Sequence, residues 1–353
     1  MSCKILSLDD IDAWRSHLNH LPVELQDIYF TPEYYRLYEK LGDGKAQCFT
    51  FRQGNQLALY PFLINSVNNL GFELDQQYFD IHGAYGYNGV VSSSCDPDFI
   101  SAFYRAFDHW CNENKVIAEF TRFHPLLNNQ HFSEKYLHTF FDRKTVVIDL
   151  RKGYGEVAKH FQRTTKKQLR RAVDRYHLII DRYENNPDCL DIFYPIYTET
   201  MNRVKAEKYL YFSLDYFQNL IQSIPSVCLL ASNDKKPVAA IIAFYNQTYV
   251  HGHLGGTITE ALGLSPFSLL YDQMIRFGVE KSCSYLHVGG GRTSAENDAL
   301  LGFKLNFSSH LADFYIGKKI HNKEVYAAVV DGWEEKNPDK VNKYRHHLLK
   351  YRY

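Results

Sequence analysis

The sequence predicts an α/β protein built from two similar halves. Hydrophobic residues make up 45% of the 353 residues, which is enough for a sizeable core, and short apolar strand-like runs alternate with longer amphipathic helices. At about 100–200 residues per domain, this length fits two domains. One order of elements occurs twice along the chain, namely a hairpin, a glycine-containing loop, a helix and a strand.

The first half shows this order between residues 46 and 150. Its two hairpin strands flank the turn Gln53-Gly54-Asn55, and its helix opens at Asp96-Pro97, which is typical of a capped helix start. The predicted elements are strands Ala46–Arg52 and Gln56–Ile64, helix Asp98–Asn114, and strands Val116–Phe123 and Thr145–Leu150.

The second half repeats the order at an offset of about 180 residues. Its predicted elements are strands Val227–Ala231 and Pro237–Tyr245, the glycine-rich loop His251–Gly256, helix Pro266–Lys281 and strand Tyr285–Val288. An internal duplication explains this most economically, although a hairpin, a helix and a strand are also common in unrelated α/β proteins. We therefore predict an N-terminal domain over residues 1–150 and a C-terminal domain over residues 151–353.

Composition excludes several classes of protein. The 40 basic residues balance the 40 acidic ones, so contacts with nucleic acid or phosphate require a local patch. The seven cysteines are scattered without a CxxC pair, which argues against a disulfide framework and a structural zinc site. The N-terminus has no apolar signal region, and the longest apolar run, Val238–Tyr245, is far shorter than the ~20 residues of a membrane helix. We expect a cytoplasmic protein without a transmembrane segment.

A local basic patch is predicted just after the boundary. Residues 156–176 form an amphipathic helix pattern with five basic residues on one side at spacings of three and four: Arg163, Lys166, Lys167, Arg170 and Arg171. Like charges on one face repel unless anions offset them. The patch is either a solvated face or a contact for phosphate groups.

Several catalytic signatures are missing from the sequence, which has no P-loop, no GxSxG and no HExxH motif. His251 and His253 fall on one face of a strand but have no third ligand nearby, so no metal site is expected. Gly289-Gly290-Gly291 follows a strand, where backbone N–H groups could face an anion or where a turn needs glycine.

Lys304 lies within a short apolar helix that starts near Asp298. Leu300, Phe303 and Phe307 define the predicted buried stripe of this helix, and the lysine stem must run along it. Its ammonium either reaches outward to solvent or points inward, where it would stabilise a phosphate or an oxyanion.

Taken together, these segments resemble the Fem-type aminoacyltransferases, a branch of the GNAT acyltransferase superfamily, and in particular its shorter Fem-like members of cell-envelope biosynthesis. The matching pieces keep their order over about 230 residues. They are Asp80–Gly89, Phe120–Leu127, Arg163–Ala172, Tyr197 with Thr200 and Arg203, Tyr211-Phe212-Ser213, Leu286–Gly291 and Phe303-Lys304.

This resemblance implies two tandem GNAT-like domains, each a mixed sheet flanked by helices. It implies that Lys304 belongs to the active site and that Arg203 contacts a diphosphate of the acceptor. Two family features are missing, namely the long helical arm of the staphylococcal-type enzymes and the (Q/R)xxGx(G/A) acyl-CoA fingerprint. No tightly bound cofactor is expected, and both aminoacyl-tRNA and acyl-CoA stay open as donors.

The function we expect is transfer of an activated acyl or aminoacyl group to an amine of a peptidoglycan or surface-polysaccharide precursor. Lys304 would supply electrostatic stabilisation, its ammonium lying near Tyr211 or Arg203. The remaining candidates are Arg203, Lys167 and Arg170 for phosphate, Gly255, Gly256 and Thr257 for the donor, and Tyr85, Tyr87, Tyr209 and Tyr211 for the acceptor groove. No general base is assigned; Asp298 and Glu199 are the nearest carboxylates.

Two other functions fit the same residues. One is a non-catalytic protein that binds a glycan or a nucleotide-sugar on the duplicated fold, and the other is an RNA-binding module that uses the basic helix. The expected partners are accordingly a phosphate-bearing envelope precursor or a nucleotide-sugar, with tRNA as a further candidate.

Overall fold

The computed structural model describes residues 2–353, and helices alternate with strands throughout. The strands are β1 Ser2–Leu6, β2 Lys45–Gln53, β3 Gln56–Ser66, β4 Phe79–His82, β5 Val91–Ser92, β6 Val116–Arg122, β7 His138–Asp149, β8 Ile179–Glu184, β9 Ser226–Asn233, β10 Lys236–Tyr245, β11 Tyr249–Thr257, β12 Tyr285–Gly290 and β13 Leu311–Ile320. The helices are α1 Ile11–Asn19, α2 Pro32–Lys40, α3 Pro97–Glu113, α4 Tyr154–Lys159, α5 Arg163–Arg170, α6 Leu190–Arg203, α7 Leu214–Ser223, α8 Pro266–Glu280, α9 Ala299–Leu305, α10 Lys323–Lys336 and α11 Val341–Tyr344.

The chain forms two compact units. The first comprises Met1–Asp142 with Phe314–Tyr353, and the second comprises Arg143–Asp313. In the first unit the strand order is β1-β2-β3-β4-β6-β13, with β5 paired to β3, and in the second it is β7-β12-β11-β10-β9-β8. Each unit therefore contains one mixed sheet.

The two sheets have the same topology. In the first unit β1, β2, β3 and β4 pair antiparallel in turn, β4 pairs parallel with β6 across α3, and β6 pairs antiparallel with β13. In the second unit β8, β9, β10 and β11 pair antiparallel in turn, β11 pairs parallel with β12 across α8, and β12 pairs antiparallel with β7. The predicted duplication is confirmed, as is the fold class.

The last strand of each half belongs to the other unit. Residues 145–149 of β7 come last among the strand residues of the first half of the sequence. They nevertheless pair with β12 in the second unit. Residues 316–320 of β13 pair with β6 in the first unit. The expected division at residue 150 thus differs from the observed one, because residues 314–353 pack with the first unit and not with residues 151–313.

The C-terminal segment is held in the first unit by burial and by ion pairs, one of which joins Arg352 to Asp80. The side chains of α10 and of residues 348–351 pack with Val67, Tyr78 and Ile117 in an apolar cluster. Arg352 donates to both carboxylate oxygens of the fully buried Asp80 on β4, at 3.0 and 2.8 Å. A buried carboxylate needs such a partner, so Asp80 fixes where the chain end packs.

Helix boundaries follow the capping signals in the sequence. Asp96 caps α3 by accepting from the Asp98 N–H, and Pro97 occupies the first turn. Asp298 caps α9 by accepting from the N–H groups of Leu300 and Leu301. The predicted helices 98–114 and 266–281 agree with α3 and α8 within one residue at each end.

Three local predictions are wrong. The glycine-rich segment His251–Gly256 is the middle of strand β11 and not a loop. The basic helix predicted over 156–176 is broken between α4 and α5, and it ends in a π-helical turn over Arg171–Arg175. Leu300 was predicted to be buried in α9, but it is only half-buried. The buried side chain one turn before Lys304 is that of Leu301.

Tertiary hydrogen bonds explain the break in the basic helix. The Gln162 N–H donates to the Asn306 carbonyl (2.9 Å), and the hydroxyl of the buried Thr165 donates to the same carbonyl (3.2 Å). Phe161 is buried between the two helices and contacts Phe307. These contacts lie far away in the sequence, so periodicity alone does not reveal them.

Within the part of the chain that the structure covers, none of the helices combines the length and the apolar character needed to cross a membrane.

Candidate functional site

In the second unit, two parallel strands separate and leave an opening. β11 and β12 pair at Tyr249–Tyr285, Val250–Leu286 and His251–His287, and no pair beyond these joins them within residues 2–353. β11 continues to Thr257 and β12 to Gly290. A bulge in the β10–β11 ladder lies next to this point, since Ile242 pairs with Leu254 but Ala243 pairs with Gly252. Ligands of open α/β sheets bind at such carboxyl ends of strands.

Lys304 lies at the end of β12. Its side chain is only 7% exposed, and its Nζ donates to the Gly290 carbonyl at 2.6 Å. Gly289 has a φ of 72°, and a Cβ placed there would lie 3.5 Å from the amine. Burial lowers the pKa of the Lys304 amine to about 8, while Asp298 opposes this shift. The amine is therefore turned inward. It is charged at neutral pH and loses its proton at a pH only slightly above neutral.

The expected position of Lys304 relative to Tyr211 and Arg203 is only partly met. Its ammonium is buried as predicted, but none of its hydrogen bonds or ion pairs among the described residues reaches either side chain. Its neighbours are instead the strand-end glycines and Asp298.

Arg203 stands at the last turn of α6 and is bound to the end of β11. Its Nη1 donates to the Thr257 carbonyl at 2.6 Å and to the Thr259 hydroxyl at 3.3 Å. It lies 3.9 Å from Glu199, which itself accepts from the Thr259 N–H and hydroxyl. These contacts join α6 to the loop that follows β11. Phosphate binding by Arg203 stays a prediction.

The glycines proposed for donor binding allow close packing. A Cβ at Gly256 would lie 2.6 Å from the Ile196 carbonyl and from the Thr200 hydroxyl of α6, and one at Gly255 would lie 2.6 Å from the Ala240 carbonyl of β10. The helix and both strands therefore approach to distances that only glycine permits. This close approach is also the reason why a glycine-rich segment forms a strand here.

Thr257 does not present its N–H to a donor. That N–H donates to the Thr200 hydroxyl at 2.9 Å, and the same hydroxyl donates to the Thr257 carbonyl at 3.0 Å. The side chain of α6 thus satisfies the backbone of Thr257, and a role of residues 255–257 in donor binding stays a prediction. After it, residues 259–264 form a 3-10 helix where the acyl-CoA fingerprint is missing.

Tyr209 and Tyr211 lie on an aromatic segment beside the end of α6. Their side chains are 47% and 42% exposed, and the Tyr211 hydroxyl donates to the Met201 carbonyl at 3.1 Å. Tyr209 packs edge-on against Phe212, which stacks on Tyr216 at 4.4 Å. Tyr211 thus stands near the end of α6 that carries Arg203, and both tyrosines have exposed ring surface.

Tyr85 and Tyr87 belong to the first unit. The Tyr85 carbonyl accepts from the Tyr34 hydroxyl at 2.6 Å, and the Tyr87 ring packs edge-on against Tyr29 and His124. These two tyrosines are held in an aromatic cluster, and their role in an acceptor groove stays a prediction.

The two motifs that carry the resemblance in the first unit support each other. The Arg122 guanidinium donates to the Ala84 carbonyl at 2.9 Å. The Asn88 N–H donates to the Arg122 carbonyl at 2.6 Å, and the Arg122 N–H donates to the Asn88 side chain at 2.8 Å. Residues 80–89 and 120–127 therefore form one structural element, which explains why both motifs occur together.

The basic patch is real and is larger than predicted. We call it the basic stripe and define it by six exposed side chains, which are Arg163, Lys166, Lys167, Arg170, Arg171 and Arg175. Within residues 2–353 the structure shows no ion pair for any of them. Lys167 and Arg170 are thus exposed and without an ion-pair partner, and their contact with phosphate groups stays a prediction.

Two features escaped the sequence analysis. One is an open groove of about 430 Å³ beside α6, with apolar walls from Ile192, Ile196 and Ile258 and charged side chains from Glu199 and Lys236. Its lining comes from three separate segments, so no single stretch of sequence indicates it.

The other is the position of His287, which lies beside His251 near the strand opening. His251 and His287 pack edge-on at 5.7 Å, and the Nε2 of His253 lies 2.8 Å from the Tyr216 hydroxyl. Burial lowers the pKa of His253 to about 3, so its ring is neutral. The pair His251 and His253 noted in the sequence therefore contacts two different sets of neighbours.

Comparison with known proteins agrees with this geometry. Residues 159–298 match the family model "Acetyltransferase (GNAT) domain". This stretch contains most of the second unit, with the basic stripe, the strand opening and Asp298. No curated protein gives a significant match to the sequence.

Solved structures share the fold over nearly the whole chain. FemX is 12% identical with a TM-score of 0.69, over 93% of this chain and 99% of that chain. The C-terminal domain of an Agrobacterium fabrum protein assigned as a lysylphosphatidylglycerol synthetase is 14% identical with a TM-score of 0.56, over 91% and 95%. A tandem GNAT protein from the clavulanic acid biosynthesis pathway is 8% identical with a TM-score of 0.53, over 91% and 99%.

Residues 159–298 thus match a GNAT acetyltransferase model, and the duplicated sheet is shared with a tandem GNAT protein. FemX shares this tandem fold over nearly the full chain. The class of enzyme and its fold predicted from the sequence are thereby confirmed.

Proposed function

We propose that this acyltransferase moves an acyl or aminoacyl group from an activated ester or thioester to an amine of a cell-envelope precursor, either peptidoglycan or a surface polysaccharide. The observation that carries the proposal is the inward-turned ammonium of Lys304 at the end of β12, beside the opening between β11 and β12.

In this reaction the amine nitrogen attacks the carbonyl carbon of the donor. The new C–N bond forms, the C–O or C–S bond of the donor breaks, and the amine proton is transferred to the departing alcohol or thiol. Negative charge develops on the carbonyl oxygen before the leaving group departs. A buried ammonium such as that of Lys304 stabilises this charge strongly, because little water screens it.

The remaining residues hold the substrates. Arg203, Lys167 and Arg170 would anchor phosphate groups, and Tyr209 and Tyr211 would offer ring surface to the acceptor. Holding both reactants in place can lower the barrier by several kcal/mol, up to roughly 7–11 in ideal cases.

The two nearby carboxylates are unsuited to act as general base. Asp298 accepts from the N–H groups of Leu300, Leu301 and Thr293, and Glu199 accepts from Thr259. These hydrogen bonds lower the pKa of both carboxyls. A carboxylate that is occupied and weakly basic takes up a proton poorly at neutral pH.

A transfer assay tests the proposal. The protein is incubated with aminoacyl-tRNA or acetyl-CoA and with candidate amine-bearing precursors, and the acceptor mass is followed by mass spectrometry. We expect a mass increase with wild type and a loss of at least about 100-fold with Lys304→Met.

The matched control is Lys318→Met. Lys318 lies in the first unit, has a pKa that burial lowers, and donates to the His346 carbonyl, so it repeats the chemical change away from the site. Binding of a precursor without transfer of any donor would favour the non-catalytic alternative.

A further inference from the structure

The basic stripe also carries exposed apolar side chains, which a purely solvated or phosphate-binding face does not need. Val173, inside the π-helical turn, is 50% exposed, and Ile179 at the start of β8 is 64% exposed. The Leu178 N–H donates to the Ala172 carbonyl at 2.9 Å, so Ile179 follows directly beside this helix end. Transfer of exposed valine and isoleucine side chains from water into an apolar phase lowers the free energy.

The stripe is a stable helical face and not a loose tail. Thr165 and Ala172 on its opposite side are fully buried, and the Gln168 side chain accepts from the Ser268 hydroxyl of α8 at 3.0 Å. The basic residues recur at spacings of three and four along this face, so all six point to one side.

Among residues 163–176, no tyrosine, phenylalanine or tryptophan ring stands open for stacking on nucleic-acid bases. The ring of Tyr176 is covered by the guanidinium groups of Arg171 and Arg175, which lie 5.7 and 5.5 Å from the ring centre. Binding of single-stranded RNA usually uses open rings between the basic groups. Exposed apolar groups at the border of a basic helical face are instead typical of helices that lie on an anionic membrane surface.

We infer that the basic stripe, together with Val173 and Ile179, docks the second unit on the headgroup layer of an anionic membrane. This inference deepens the proposed function and rests on it in one respect. It names a lipid surface as the partner that supplies phosphate groups to Lys167 and Arg170. The arginine and lysine side chains contact lipid phosphates, and the two apolar side chains enter the boundary between headgroups and acyl chains.

Vesicle sedimentation tests this inference with the full-length protein and without donor or acceptor. Vesicles of phosphatidylcholine with 30% phosphatidylglycerol are compared with vesicles of phosphatidylcholine alone, at about 0.1 and 0.5 M NaCl. We expect binding to the anionic vesicles only, with release at high salt. Binding to neither type of vesicle at low salt overturns the inference.

Two pairs of variants separate charge from apolar contact. Lys166→Gln with Arg170→Gln should weaken partitioning by about thirtyfold, at ~1 kcal/mol per basic residue near the surface. Val173→Ser with Ile179→Ser keeps every charge and should weaken it by about tenfold. All four residues are exposed, so the variants should fold, which circular dichroism checks.

A matched control removes the same charge elsewhere. Arg105→Gln with Lys135→Gln changes two exposed basic residues of the first unit and should leave vesicle binding unchanged. Equal loss in this control, or no loss with Val173→Ser and Ile179→Ser, contradicts docking through this face. Binding to total tRNA that depends on the basic residues but not on Val173 and Ile179, with no vesicle binding, would assign the stripe to RNA. Because the assay needs no transfer, its failure and failure of the proposed reaction are told apart.

Discussion

Replacing Lys304 by methionine should change the pH dependence of stability in a defined way. The methionine keeps most of the packing of the lysine stem beside Leu301 and removes the amine that donates to the Gly290 carbonyl. In the folded protein the pKa of this amine is lowered from 10.5 to about 8 by burial. Between these values the unfolded chain binds more protons than the folded one, so the free energy of unfolding of the wild type rises with pH.

The size of the effect follows from the pKa shift. Below pH 8 the wild type carries a buried charge at a cost of about 3 kcal/mol, since each pKa unit corresponds to about 1.4 kcal/mol. Between pH 7 and pH 9.5 this cost should fall by about 2 kcal/mol. The Lys304→Met variant lacks this gain. At pH 7 the variant also leaves the Gly290 carbonyl without its hydrogen-bond donor, which costs about 1–3 kcal/mol of stability. The stability gained by removing the buried charge and the stability lost with the hydrogen bond therefore nearly cancel.

Urea unfolding at pH 7 and pH 9.5, followed by circular dichroism, measures the difference. Tryptophan fluorescence is unsuitable because Trp14, Trp110 and Trp333 all belong to the first unit, whereas Lys304 belongs to the second. We expect the wild type to gain about 2 kcal/mol relative to the variant between these pH values.

A constant difference between the two proteins at both pH values would refute the argument, because it would mean that the amine titrates as in water. Activity gives an independent check. If the ammonium stabilises the oxyanion, transfer by the wild type should decline as the pH rises above about 8, after correction for ionisation of the acceptor amine.

Three further predictions concern the frame of the site. Gly256→Ala should destabilise the protein by about 1–3 kcal/mol in urea unfolding, since its Cβ would meet the backbone of α6, whereas Gly263→Ala, with no atom within 4 Å of its Cβ, should not. Thr200→Val should cost about 1–3 kcal/mol, because the backbone of Thr257 loses both hydrogen bonds to the hydroxyl; an unchanged midpoint would contradict that role. Glu184, whose pKa falls to about 2 through Lys281, Tyr245 and Arg182 despite its desolvation, contributes stability that is present above pH 4.5 and lost as the pH falls towards 2. Thermal unfolding at pH 7 and pH 3 should show a smaller loss for Glu184→Gln than for wild type.

The prediction for Lys304 depended on local pattern plus burial. Lys304 follows Leu301 by three residues on a short helix, so its stem had to run along a packed surface. Whether the amine then turned outward or inward depended on the Gly290 carbonyl, fourteen residues earlier in the chain. Spacing alone therefore left both outcomes open.

The loop prediction for His251–Gly256 failed for a similar reason. Glycines at 255 and 256 fit a loop that presents N–H groups, and they fit equally well a strand pressed against α6. Only the position of Thr200, 57 residues before Thr257, decides between these two structures.

The sequence by itself determined the features that depend on neighbours along the chain. Hairpin strands, capped helices such as α3, and the repeat of one order of elements all follow from short-range spacing and turn chemistry. The stripe of basic residues also follows from spacing.

Only the tertiary structure decided which unit each final strand joins and where the basic helix breaks. β13 pairs with β6, about 200 residues earlier, and the Asn306 carbonyl draws Gln162 and Thr165 into hydrogen bonds that interrupt the helix. Such bonds satisfy buried backbone groups between segments far apart in sequence, and their free energy outweighs local helix propensity. The boundary at residue 150 and the unbroken helix over 156–176 were expected because propensity acts on neighbours, whereas these contacts form only once the chain has folded.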